Sequence, residues 1–466
     1  MEESKFEEAL SMTLRRKLET GRKKKVKTIL RSKYRSIRSD LQEQKKLERQ
    51  DYKRKKRLSN GKKERAKDII HKGHKQFALT WGMMMGVQMS IARQPEFSRK
   101  LYGGIDQYPL KVTDFMTVDK YIIPLEIKGM SSHCKFKDYA PLAFGNLRDF
   151  WGVNKDKYLD SICNPDSNFL EFMSNSKSGM YFFISHDRKY MIKTLKNYEC
   201  KFLRRILPHY VTHMIKNPNS LINQYYGLHR VKMPHLNRKI HFVVMNNIFH
   251  TPKPIHTLYD LKGATYSGRY VKRCKFDTKS KCSSICGKDL NFQGFTDDNT
   301  GNKKKTGHQA PEYRQWLKIG KVERKLAFAE QIATDSVFLA RMKIMDYSLL
   351  IGVHGRDPQQ VAGYIPPNTN NYDNNQRKVD EKEVKIPVSL FKQDDGGFCG
   401  MNDNGTLNNE IYYIGIIDIL QQYNLLKFIE NKYKSYFSSD SSKTISALPP
   451  KKYAKRFIEF ITSSIK

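Results

Sequence analysis

The chain has 466 residues, enough for one large or two moderate domains, and its 39% hydrophobic and 12% aromatic content excludes a wholly disordered polymer. Its 85 Lys and Arg against 47 Asp and Glu leave a net charge of +38, which points to polyanionic partners, nucleic acid or an anionic membrane leaflet, and says nothing of fold. Seven cysteines, odd in number and without a CxxC pair, argue against a disulfide framework and suit a reducing compartment.

Residues 1–67 read as a basic arm. Across 1–70 there are 25 Lys and Arg against 11 Asp and Glu, clustered in RKKKVK (22–27) and KRKKR (53–57), with too few apolar residues for a core. Disorder or a lone solvated helix is expected, and lipid attraction, nuclear import and nucleic-acid binding stay open as its role. The charged N-terminus predicts no signal peptide. The uncharged stretch 77–92 has 16 residues, short of the ~20 that span a bilayer, so membrane association is expected to be peripheral.

Residues 71–93 predict a helix with a Met-rich face for core or dimer contact. Short strands and turns are expected over 100–150. The pattern sharpens at 180–185 and 189–195, two strand-like runs joined by the polar turn HDR, a hairpin. Its second strand aligns Met191, Lys193 and Leu195 on one face, so Lys193 either snorkels outward or reaches a nucleotide phosphate. The preceding turn offers Ser176, Ser178 and Gly179 to phosphates. A helix is expected over 199–214, with Glu199 near its start, serving the helix dipole or pairing with Lys193. Residues 241–249 read as a buried strand running into a linker between two lobes, with Met245 and Asn246 beside an adenine pocket.

In YDLKGATY, Lys262 stands before a glycine in a strand-like run, with an exposed hairpin as the alternative. Residues 274–310 and 355–385 read as polar inserts, the first ill-ordered. Cys274, Cys282 and Cys286 lie in the first without a histidine at ligand spacing, which argues against zinc. A helix over 321–340 is expected to present Val322, Leu326, Ala329, Ala333 and Val337 on one face. It leads to RMKIMDYSLLIGVH, where Asp346 interrupts an apolar run as a turn residue or as a functional acid. Asp418 does the same in IYYIGIIDIL, about 70 residues on. Two buried-looking carboxylates at strand ends are what a magnesium-nucleotide site requires.

The blocks KSGMYFFIS, YMIKTL, FLRRILPHYVTHMIKNPNSLINQYYGLHRV, HFVVMNNIF, YDLKGATY, KIMDYSLLIGVH and IYYIGIIDILQQYN, in this order, resemble the phosphatidylinositol phosphate kinase family over roughly 68–464. The combination of MDYSLL and IGIIDIL is specific to it. The resemblance implies an α+β, two-lobed fold distantly like protein kinases, with an antiparallel N-lobe sheet at about 68–248, a C-lobe at about 249–464, and a flat basic face that lies on a membrane. It implies ATP and Mg2+ as cofactors, Lys193 on the ATP phosphates, Asp346 as the catalytic-loop acid and Asp418 as the magnesium-binding acid. Lys262 is then expected at the substrate phosphate, and Glu199 as the structural partner of Lys193.

The position that separates 5-kinases from 4-kinases in this family aligns with Glu430. At about 100° per residue Glu430 falls within the stripe of Tyr423, Leu426, Tyr433 and Phe437, edged by Lys427 and Lys434, a pattern suited to anionic lipid. Three departures from the family pattern are Met180 and Ala264, each where serine is usual, and Phe428 in place of a lysine. The resemblance implies phosphorylation of the 5-hydroxyl of phosphatidylinositol 4-phosphate, at the plasma membrane inner face or in the nucleus, by a monomer or homodimer. The alternatives are a catalytically weak phosphoinositide scaffold and a 4-kinase acting on phosphatidylinositol 5-phosphate. A nucleic-acid binder is disfavoured, because no base-reading motif accompanies the charge.

Overall fold

Fifteen strands among the described residues form three sheets: β1 (Asp68–Ile69), β2 (Leu101–Tyr102), β3 (Ile105–Asp106), β4 (Val118–Ile127), β5 (Met130–Tyr139), β6 (Leu170–Met173), β7 (Tyr181–Ile184), β8 (Tyr190–Leu195), β9 (Tyr225–Met233), β10 (Arg238–Asn246), β11 (Thr257–Leu261), β12 (Cys286–Gly287), β13 (Ser348–Gly355), β14 (Phe398–Met401) and β15 (Leu407–Ile417). Between them lie the helices α1 (Phe77–Ala92), α2 (Val112–Met116), α3 (Pro141–Phe150), α4 (Lys155–Cys163), α5 (Asn197–Lys216), α6 (Val322–Arg341) and α7 (Pro450–Thr462). This computed structural model describes residues 68–70, 77–94, 101–102, 105–106, 110–127, 130–164, 170–173, 180–233, 238–264, 286–289, 292, 315–356, 389–423 and 448–466. The basic arm lies outside them. No described helix is long and apolar enough to cross a membrane.

The first sheet has the order β1-β6-β7-β8-β10-β9-β5-β4, antiparallel throughout, and the second the order β12-β11-β13-β15-β14, antiparallel except where β12 joins β11. β2 and β3 form a two-stranded sheet. The arrangement is α+β. Strand alternation sorts the first sheet into two faces. On β5, Cys134 and Phe136 are buried against α1, whose Met83 and Val87 are fully enclosed, while Lys135 and Lys137 point the other way. Gly86 lets α1 lie this close, because a Cβ there would collide with the Phe136 ring. The opposite face contributes Leu195, Leu228 and Val243 to a second core, covered by the stripe Cys200, Leu203, Leu207, Tyr210 and Met214 of α5.

Two expectations change. Residues 100–150 hold two ten-residue strands, β4 and β5, and the helix α3, instead of short strands and turns. The α6 helix forms as expected but turns its other side inward: Val322, Leu326 and Val337 are exposed, and Phe328, Ile332, Asp335, Ser336 and Leu339 are buried. Counting apolar residues alone chose the wrong face, because the buried stripe also carries Arg324 and Asp335, whose polar groups find partners. Arg324 donates to the Cys399 carbonyl at 2.8 Å and lies over the Phe398 ring.

Asp335 joins the sheets. Its fully buried carboxylate accepts from His213 Nε2 (2.7 Å) at the end of α5, Ser220 Oγ (2.8 Å), the Leu221 N–H (2.8 Å) and Gln331 Nε2 (3.0 Å). The segment it fixes runs beside β15: Ile416 donates its N–H to Leu221 O, and Asn223 donates to Ile416 O. One acid thus sets how α5 and the second sheet meet. Asp335→Ala orphans these donors and is expected to cost on the order of 3–5 kcal/mol, read as a lower denaturation midpoint. An unchanged midpoint would show that the network is not needed.

Candidate functional site

The second sheet brings its chemistry to one end. β13 starts two residues after Asp346, β15 stops one residue before Asp418, and the antiparallel register pairs Ser348 with Ile417. β11 pairs Leu261 with Leu349, so Lys262, the next residue, reaches the same end. Beyond the two acids the chains meet again, with Met345 N–H on Gln421 O and Tyr423 N–H on Lys343 O. Asp346 and Asp418 therefore lie in two short excursions pinned on both sides.

Both acids adopt left-handed backbone, with φ of 64° and 61°. Aspartate tolerates this region where a branched residue would not. The turns push the carboxylates outward, so the side chains are 40% and 53% exposed, in place of the burial expected from their apolar surroundings. Each takes one lysine: Lys262 Nζ lies 2.8 Å from Asp346 Oδ1, and Lys193 Nζ lies 2.7 Å from Asp418 Oδ1. Both lysines are largely buried, which raises the value of these contacts over surface pairs.

Lys193 comes from the middle of β8, between Phe182 on β7 and Val243 on β10, with its ammonium 5.5 Å from the Phe182 ring centre. Met191 and Met245, paired across β8 and β10, continue that face as apolar side chains of the core edge. Asn246 is committed within the protein, accepting the Gln224 N–H at 2.8 Å and donating its own N–H to Gln224 O. Its Oδ1 and backbone N–H therefore fix the strand end.

Glu199 does not pair with Lys193. Its carboxylate accepts the Lys196 N–H at 2.7 Å at the start of α5, while Lys193 reaches across to Asp418. The helix N-terminus takes the acid because its N–H groups lack intrahelical partners. Glu199 still contributes charge nearby: burial, then Asp418, then Glu199, push the Tyr225 phenol upward. Ser176, Ser178, Gly179, Lys427, Glu430 and Lys434 lie outside the described residues.

Sequence reasoning missed Asp289. This fully buried acid lies in the stretch expected to be an ill-ordered insert, and accepts the N–H groups of Lys262 and Gly263, both at 2.7 Å. Gly263 has φ +70°, and a Cβ there would press on the Arg456 carbonyl. Asp289 and Gly263 together hold the turn that aims Lys262. The available signal was the apolar Phe292 nearby, which is buried edge-on against Tyr259. The insert thus supplies β12 and a structural anchor.

Among the described residues no three His, Cys, Asp or Glu side chains gather as a metal cage. Exposed single carboxylates suit a hard divalent cation that takes one or two protein ligands and completes its shell with phosphate oxygens and water.

The family model for phosphatidylinositol-4-phosphate 5-kinases matches residues 163–464. A phosphatidylinositol 4-phosphate 5-kinase of Schizosaccharomyces pombe is 34% identical, over 85% of this chain and 54% of its own length. A probable phosphatidylinositol phosphate kinase of Dictyostelium discoideum is 32% identical (85% and 59%), and phosphatidylinositol 4-phosphate 5-kinase 1 of Arabidopsis thaliana 30% (88% and 55%). The chain spans little more than half the length of these relatives.

The turn geometry gives a direct test. Asp418→Asn and Asp418→Val both remove the charge that faces Lys193, but Asn tolerates left-handed backbone, so the comparison between the two isolates the turn. Asp418→Val is expected to be less stable than Asp418→Asn by about 1–2 kcal/mol of backbone strain. Equal stability of the two would remove the strained-turn account.

Proposed function

The chain belongs to the phosphatidylinositol-4-phosphate 5-kinase family, and from this membership and the two lysine–carboxylate pairs we propose that it transfers the γ-phosphoryl of ATP to the 5-hydroxyl of phosphatidylinositol 4-phosphate. The observation that carries the reading is the convergence of Lys193, Lys262, Asp346 and Asp418 from separate elements, since phosphoryl transfer is mostly positioning and charge neutralisation.

Lys193 neutralises phosphate charge of the nucleotide, whose base lies against Met191 and Met245. Asp346 orients the inositol hydroxyl and accepts its proton, which must leave as the new P–O bond forms. Lys262, 2.8 Å from that carboxylate, holds the lipid's existing phosphate close to the acid. Asp418 would hold Mg2+, which would supply positive charge to offset that of the nucleotide phosphates. In this reading Lys193 exchanges its contact with Asp418 for nucleotide phosphate. The same parts support a distant likeness to protein kinases: a lysine in an antiparallel sheet, then two acids at strand ends. A division into lobes near residue 248 is supported by the change of sheet between β10 and β11.

Peripheral binding to an anionic leaflet is part of the proposal. The first sheet sets like charges opposite one another: Lys120 with Lys137, Lys137 with Arg230, Lys135 with Lys232, and Lys232 with Lys239. Such pairs destabilise a sheet, so their concentration on one face is best explained by an external polyanion. Glu430, with Lys427 and Lys434, is proposed to choose the 4-phosphate lipid.

The test is transfer from labelled ATP to vesicles carrying phosphatidylinositol 4-phosphate or 5-phosphate, with the product position resolved. The wild type is expected to convert the 4-phosphate lipid. Asp346→Asn is expected to lose roughly 10²–10⁴ in rate, and Asp418→Asn to lose turnover altogether, both still binding vesicles. Glu430→Ala is expected to shift preference toward the 5-phosphate. Wild-type rates in either aspartate variant, or an unchanged product ratio in the third, would remove that residue's role.

A further inference from the structure

A second cation-lined cavity lies away from the acids. Its volume is about 360 Å3, within the lower range of small-molecule sites, and it is open to solvent between the first turns of α5 and the first sheet. Asn197, Lys201 and Arg204 face it from one stripe of α5, and Arg230, Lys239 and His241 from β9 and β10. No acid lines it. Along β10 the cavity begins at Lys239 and His241, whereas the nucleotide base is placed at Met245, about 13 Å farther along the strand. Val243, in the core, separates the two.

The cavity is built and not merely basic. Arg204 lies 4.7 Å over the Tyr139 ring, and Tyr139 stacks on His241, so the guanidinium is held by packing. Lys201, Arg204, Arg230 and Lys239 have no ion pair among the described residues. The Nε of Arg230 and the Nδ1 of buried His241 have no hydrogen-bond partner there either, although buried polar atoms are normally satisfied. Burial, then the charges of Arg230, Lys239 and Arg204, push His241 down to about 4. Lys137, opposite Arg230, is lowered by burial and then by Arg230, Lys120, Arg204 and Lys239. These side chains repel one another, and no ion pair among the described residues offsets it.

We propose that this cavity is a binding site for a compact group bearing two or more phosphates, distinct from the site of phosphoryl transfer. Planar guanidinium and ammonium donors converging on one recess select clustered phosphates over the single charge of a serine headgroup. The chemistry is shared by a soluble inositol polyphosphate and by a polyphosphoinositide headgroup in a bilayer. The site does not depend on the kinase reading, because it shares no residue with the acid cluster.

The experiment titrates the full chain with inositol 1,4,5-trisphosphate by calorimetry. In parallel, it measures binding to phosphatidylcholine vesicles carrying either phosphatidylinositol 4,5-bisphosphate or phosphatidylserine at equal charge. The variants are Arg204→Gln with Lys239→Gln, and Lys262→Gln as the control at the acid cluster. The paired variant is expected to weaken trisphosphate binding by about tenfold or more, and to melt no lower than wild type because repulsion is relieved. Lys262→Gln is expected to remove only binding at the acid cluster and to leave the cavity's share of the trisphosphate binding in place. Binding to the bisphosphate vesicles alone, lost in the paired variant, would assign the site to the bilayer lipid. The proposal is overturned if neither probe binds, if serine vesicles bind as well and are lost in parallel, or if Lys262→Gln abolishes binding and the paired variant does not.

Discussion

The register between β13 and β15 is the constraint from which the site follows. Two antiparallel strands paired Ser348 to Ile417 must end one chain where the other begins, so residues about 70 apart in sequence arrive side by side. A shift by one residue would invert every side chain on one strand, burying what is exposed and exposing Tyr347 or Ile416, both now fully enclosed. The hydrophobic pattern therefore fixes the register, and the register fixes the acids. The aromatic group of Tyr347, Tyr453 and Phe457 secures the first turn from beneath, so α7 supports Asp346 although none of its side chains faces the acid in the contacts observed.

The second determinant is charge. Each acid is matched with a lysine drawn from a different strand, Lys193 from the first sheet and Lys262 from the second, and each lysine is more buried than its partner. The placement leaves the carboxylates partly in solvent, where a substrate or metal reaches them, while their counter-charges are held by the fold. Desolvating the lysine stems is cheap because they lie along apolar neighbours such as Phe182. Desolvating the acids would have been costly.

Much of this was legible before any coordinates, and the boundary is physical. Strand runs with strict alternation, such as YMIKTL, and the lone acids in IMDYS and IIDIL stand out because an apolar run rarely tolerates a charge without cause. Lys262 and Asp289 show the limit. Their meeting depends on a turn closed by residues 27 apart, through a backbone contact that leaves no periodic trace. The inward side of α6 was misread for a related reason: Asp335 and Arg324 are buried polar groups whose partners lie more than a hundred and more than seventy residues away. Glu199 was misassigned because sequence places it near Lys193 but does not reveal that the Lys196 N–H claims it first.

The net charge of +38 divides, in the same way, into parts with different physics. Lysines on exposed strand positions act together at a distance and are screened by salt, so they attract a leaflet without choosing among its lipids. Arg204 and Arg230 are half-buried, held by ring stacking and strand pairing, and act at contact, where geometry discriminates. A sheet carries such repulsion only if neighbouring interactions outweigh it. The core under α5, to which Leu195, Val243 and Leu228 contribute, supplies that excess. Leu195 pairs with His241 on the cationic side and Val243 pairs with Lys193 on the other, so the same core lets one sheet hold anion-binding groups at both ends of its face.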